Sequence, residues 1–203
     1  MPVRTGDTRA APQVSSAPMA NRSHLYTCDD IPPKDGFYAR GLSECNREIP
    51  LVHKVMMANA PRVVRSAIWA RDIGIVAERP GAFERTLAFF SRLGEGELAE
   101  RDRFDAEAAK MRAFLDATPP TKYLLLEAGE IFSAMGGDLA LRARQLVGEI
   151  VDLAPRVERA IAGVEEPWLA QLRANGQKAA RPGWWSEVLY YSFEPPEGAA
   201  EST

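Results

Sequence analysis

His24, Cys28, Cys45 and His53 are the only histidines and cysteines in this 203-residue chain, and all four fall within residues 24–53. Imidazoles and thiols are the usual metal ligands and nucleophiles, so chemistry using either is confined to that window. Two thiolates and two imidazoles would satisfy tetrahedral zinc by count. Their spacing is H-x3-C, then sixteen residues, then C-x7-H, without the close pairs that structural zinc sites bring together. If residues 23–28 form a strand, His24 and Cys28 share a face but lie about 13 Å apart, four residues at ~3.3 Å rise, too far to hold one ion. Free cysteines commonly serve as small buried hydrophobes. The four are therefore read as structural, and neither metal nor cofactor is expected.

A nucleophilic reading would rest on Cys45, set in Gly41-Leu42-Ser43-Glu44-Cys45-Asn46, with His53 as its base. No G-x-S-x-G elbow or comparable context supports it. If that segment is helical, Glu127 and Glu130 sit one turn apart after an apolar run, and a strand-terminal acid can act as a general base or a metal ligand. Solvated carboxylates are expected there instead. No catalytic residue is therefore assigned. Gly136-Gly137-Asp138 reads as a turn whose Asp138 caps the following helix rather than as an anion site. Gly94-Glu95-Gly96 lacks the third glycine and preceding strand of a dinucleotide fingerprint.

The aromatics Trp69, Trp168, Trp184, Trp185, Tyr190 and Tyr191 carry a different chemistry, because tryptophan and tyrosine dominate interface hot spots. Adjacent residues on a strand point to opposite faces, so one of Trp184 and Trp185 should enter the core while the other stays near the surface. Trp184, Trp185, Tyr190 and Tyr191 are the candidate binding residues.

The elements that must position these groups follow from periodicity. Residues 23–28 are β-prone, and Pro32-Pro33-Lys34-Asp35-Gly36 is a turn. Pro50 opens a short helix carrying Leu51, Val55 and Ala58, stopped by Asn59-Ala60-Pro61. Val63–Trp69 and Ile73–Ala77 read as a hairpin joined through Ala70-Arg71-Asp72. A helix over about 81–93 buries Phe83, Leu87 and Phe90. Another over about 97–116 buries Leu98, Phe104, Ala108, Met111 and Leu115. Tyr123–Leu126 reads as a strand. Ala143, Val147, Ile150, Ala154, Val157, Ile161 and Val164 form one apolar stripe, with a kink or a junction of two helices expected near Pro155. Pro167-Trp168 starts a short helix ending near Asn175-Gly176. Trp184–Phe193 alternates as a terminal strand.

Hairpin strands mixed with helices, without regular βαβ alternation, predict an α+β fold: a small, mostly antiparallel sheet with helices packed on one face. Residues 1–18 are rich in proline and small polar residues and are expected to be disordered, as is the tail 194–203. Residues 19–193 then form a single domain, whose core can bury roughly 70% of the unfolded surface without disulfide or metal.

A net charge of −3, with 26% charged and 46% hydrophobic residues, argues against nucleic acid or an anionic membrane surface as partner. Apolar runs fall far short of the roughly 20 residues that span a bilayer. No secretory h-region is present, and two cysteines without an export signal fit a reducing cytoplasm.

At Met19-Ala-Asn-Arg-Ser-His-Leu-Tyr, Gly41-Leu42-Ser43-Glu44, Ile49-Pro50-Leu51 and Trp69, the chain resembles an uncharacterised family of small bacterial cytosolic proteins that begin Met-Ala-Asn-Arg-Ser-aromatic-Leu-Tyr. The resemblance covers residues 19–193 and implies Met19 as the initiator. It places tyrosine where His24 stands and tryptophan where Cys45 stands, which weakens the metal and nucleophile readings. It implies no activity, substrate or cofactor. The expected function is a non-enzymatic protein-binding module of immunity or regulatory type, with a protein as partner. The alternative is a small hydrolase or transferase using carboxylates or a Cys45/His53 pair.

Overall fold

Tyr123–Glu127 forms the middle strand, β5, of a five-stranded sheet. The computed structural model describes residues 21–98 and 100–178. On one side of β5 lie β1 (Arg22–Cys28) and the edge strand β2 (Ala39–Asn46). On the other lie β4 (Gly74–Glu78) and the edge strand β3 (Arg62–Val64). The order is β2-β1-β5-β4-β3, with every pair antiparallel. The expected α+β class with a small antiparallel sheet is what the chain adopts.

Register divides the sheet cleanly. Val63, Ile75, Leu126, Leu25 and Ser43 form one cross-strand row, whereas Arg62, Val76, Leu125, Tyr26 and Gly41 form the next, pointing to the opposite face. Six helices among the described residues are interleaved with the strands: α1 (Leu51–Met56) after β2, α2 (Ala82–Gly94) and α3 (Arg101–Asp116) after β4, and α4 (Gly129–Met135), α5 (Leu139–Ile161) and α6 (Glu166–Lys178) after β5. All six contribute to one core with Leu25, Leu42, Ile75, Ala77, Leu124 and Leu126 of the sheet. A smaller cluster of Tyr26, Cys28, Ala39 and Leu125, flanked by Phe37, Val64 and Tyr123, occupies the other face.

Several elements depart from expectation. β2 was not anticipated: Leu42 is its one large apolar side chain, and a bulge opposite Leu25/Tyr26 breaks the alternation that would have marked it. The hairpin at 63–77 keeps a five-residue second strand, displaced by one residue, but its first strand has three residues instead of seven, because residues 65–73 leave the ladder as a loop. The Ser66 hydroxyl accepts hydrogen bonds from the Ile68 and Trp69 amides, turning the backbone away. Trp69 lies against Gly129, where a Cβ would run into the indole. α2 buries Phe89, Leu93 and Thr86 beside Phe83 and Phe90, leaving Leu87 half-buried.

α5 is one 23-residue helix rather than two. Pro155 sits on its solvent side, beside the exposed Val151 whose carbonyl loses its helical donor, so water can satisfy that carbonyl. Asp138 caps it as expected, its carboxylate accepting from the Ala140 and Leu141 amides at 2.9 and 3.3 Å. Ala143, Ile150 and Val157 are buried as the stripe predicted, joined by Leu146 and Ala160, but Val164 lies beyond the helix and is exposed. Trp168 of α6 packs on Phe89, with ring centroids 5.5 Å apart.

Candidate functional site

Because β1 pairs with both β2 and β5, His24 stands opposite Glu44 on one side and Glu127 on the other. Glu44, His24 and Glu127 therefore form a carboxyl–imidazole–carboxyl row across the end of the sheet. His24 Nδ1 lies 3.7 Å from the Glu44 carboxylate, and the Arg22 guanidinium is 3.4 Å from the same group. The Arg22 amide donates to Glu130 at 2.9 Å. Burial holds the His24 pKa below its ordinary value, with Glu44 and Glu130 pulling it back up and Arg22 adding to the depression.

Glu127 corrects the expectation of solvated carboxylates, being almost fully buried. One carboxylate oxygen accepts from the Ser66 hydroxyl and the other from the Ala67 amide, both at 2.7 Å. Burial raises its pKa, and those two hydrogen bonds offset part of the rise. Its function in the fold is thereby defined: it ties the loop carrying Trp69 to the central strand. The signal in the sequence was alternation, since Tyr123, Leu125 and Glu127 share one face of a strand.

A second polar cluster lies on the helix side. His53 of α1 is completely buried between Ser23 and Ser43. Ser23 Oγ donates to the Glu48 carbonyl at 2.7 Å, so it accepts from His53 Nδ1–H at 3.4 Å, and Nε2 accepts from the Ser43 hydroxyl at 2.9 Å. Burial, reinforced by His24, pushes the His53 pKa down to about 3, so the ring is neutral at physiological pH. Both ring nitrogens are committed to serines rather than to the Cys45 thiol. Cys45 lies on β2 opposite Ser23, its Sγ 3.9 Å from Asn46 O and from Glu48 Oε1. Cys28 lies on the opposite face of the sheet from His53. Burial, with Asp29 and Asp30 adding to it, pushes its thiol up to about 12. Among the described residues no three His, Cys, Asp or Glu side chains are placed to share a metal ion.

A concave surface lies elsewhere, between α2 and α3. This groove of about 530 Å³ has a floor of Phe90, Phe104 and Met111. Leu87 and Ala108 are half-buried on its walls, and Glu95, Asp105, Arg112 and Asp116 are exposed around it.

The end of α2 beside this groove is held by two arginines. Arg173 of α6, itself buried, donates to the Leu93 and Arg92 carbonyls at 2.8 and 3.1 Å and pairs with Glu166. Arg101 donates to the Gly94 and Gly96 carbonyls. Guanidinium groups here satisfy carbonyls left over at the helix end and complement its dipole. Gly96 is a glycine for a packing reason, because a Cβ there would run into the Arg173 guanidinium.

The candidate binding residues Trp184, Trp185, Tyr190 and Tyr191 lie outside the described residues. No described helix is long and apolar enough to cross a membrane. No curated protein and no solved structure matches the chain. Residues 30–167, which run from the turn before β2 to the first residues of α6, match the family described as a domain of unknown function (DUF7822). That match spans more than half of the chain, and the protein belongs to this family.

Proposed function

We propose that this protein is a non-enzymatic protein-binding module of regulatory or immunity type, acting in the bacterial cytoplasm, and that its α2/α3 groove receives an amphipathic helix of a protein partner. The observation that carries this reading is the groove's make-up: an apolar floor, exposed charges of both signs at its rim, and small exposed residues (Ser91, Ala109) that let a partner backbone approach closely. Interfaces concentrate binding energy in such apolar pockets ringed by polar residues, and helices dock in them through side chains at i, i+3, i+4 and i+7. A small-molecule site would bring buried polar groups to the floor to orient its ligand, whereas the charges here stand at the rim.

The test places a photo-crosslinking benzoylphenylalanine at the exposed Ala109 and identifies the captured protein. That protein's affinity, titrated with purified components, should fall at least tenfold on Ala109→Glu, about 1.4 kcal/mol, with the unfolding midpoint unchanged. Absence of an adduct, or an affinity indifferent to Ala109→Glu, overturns the reading.

A second reading, a small hydrolase or transferase, is favoured by the Glu44–His24–Glu127 row, which pairs a depressed imidazole with a raised carboxyl. Turnover of chromogenic ester, phosphate or glycoside substrates, abolished by both His24→Asn and Glu44→Gln, would make it the better one.

A further inference from the structure

The sheet face opposite the helices is covered, yet no described helix covers it. In a single chain Leu125 and Val76 have 0% of their surface exposed, Cys28 2% and Tyr26 3%. These residues belong to adjacent cross-strand rows in the middle of the sheet. Among the described residues, their apolar neighbours on that face come only from strands and from Phe37, just before β2. Side chains standing side by side on a sheet leave their tips in water, and central ones lose that exposure only beneath a second layer, stacked about 10 Å away.

We propose that this layer is the chain's own C-terminal aromatic segment, residues 184–193, docked across Tyr26, Leu125 and Val76. Composition selects it. Residues 184–193 read WWSEVLYYSF, whereas residues 1–20 offer two valines, two methionines and small or polar residues. Tryptophan and tyrosine side chains bury roughly 150–250 Å² each, so few are needed to close the face. The face itself presents Tyr26, Tyr123 and Phe37, suited to tilted or edge-on aromatic pairs. α6 packs on the helix side and ends at Lys178, so the chain must round a sheet edge, and the 15 residues from Lys178 to Phe193 span up to about 50 Å, long enough for that path. Trp184 and Trp185, being adjacent in an extended segment, point to opposite sides. One indole therefore joins the sheet, and the other faces outward.

Cys28 reports on the cover. In the full chain carrying Cys45→Ser, Cys28 is the single thiol, and its alkylation should be slow. Trp184→Asp together with Trp185→Asp should accelerate alkylation at least about tenfold, the signature of local opening, with far-UV circular dichroism unchanged. Unchanged protection in that variant overturns the proposal. Release of Cys28 by deleting residues 1–18 but not by the tryptophan changes assigns the cover to the N-terminus and also overturns it. Protection lost on dilution does the same, by assigning the cover to a second copy. If the double variant fails to fold, hydrogen exchange on the unaltered chain decides. Amides within 184–193 should exchange at least about tenfold more slowly than those of 194–203, and equal rates sink the proposal.

Discussion

The Ser66 hydroxyl donates a 2.7 Å hydrogen bond to the Glu127 carboxylate across 61 residues of sequence. The other carboxylate oxygen takes the Ala67 amide, so one side chain satisfies a loop that has left the ladder. Glu127→Ala would strand both donors in a buried setting, at a cost of roughly 1–3 kcal/mol, and amide exchange over residues 66–69 should rise.

The raised Glu127 pKa also has a pH signature. Between the unfolded and folded values the native state holds a proton that the unfolded chain has released. This group's contribution is therefore fully present below the ordinary carboxyl range and is lost as pH rises through the folded value. Glutamine does not ionise, so the stability of Glu127→Gln relative to wild type should increase as pH rises above the ordinary carboxyl range, about 4.5. Urea unfolding of both proteins checks it; a gap independent of pH contradicts the buried-acid account.

His53 titrates with the opposite sign. Its folded pKa is about 3, so the unfolded chain takes up a proton first as pH falls below about 6.5. Stability from this group is present above that value and declines by about 1.4 kcal/mol per pH unit as pH drops toward the folded value. Wild type should therefore lose about 2 kcal/mol between pH 7 and pH 5 through this residue, and His53→Gln should remove that slope. A variant with the wild-type slope would place the acid sensitivity elsewhere.

Gly96 and Arg173 form a coupled pair, since a Cβ on Gly96 meets the guanidinium that serves the Arg92 and Leu93 carbonyls. Gly96→Ala should cost roughly 1–3 kcal/mol by overpacking, and most of that cost should vanish in an Arg173→Ala background. A double-mutant cycle should give a coupling of about 1 kcal/mol or more. Gly148, helical with nothing near its missing Cβ, is the control: Gly148→Ala should stabilise by roughly 0.5–1 kcal/mol through helix propensity. Additive costs at Gly96 and Arg173 would break the proposed link.

What the sequence determined by itself was local. The stripe of α5, the Asp138 cap, the apolar run of β5 and the Pro50 helix start are each encoded in residues within a few positions of one another, and backbone sterics and periodicity act over that range. The antiparallel α+β class follows from the same signals. Tertiary structure alone decided the rest. β2 is a strand because β1 offers it a partner, while its own residues alternate poorly. Glu127 is buried because Ser66 and Ala67, distant in sequence, supply donors. Gly96 must be glycine because an arginine 77 residues later needs the space. Burial and hydrogen-bond satisfaction belong to pairs brought together by chain closure, so a residue's neighbours in sequence carry no record of them.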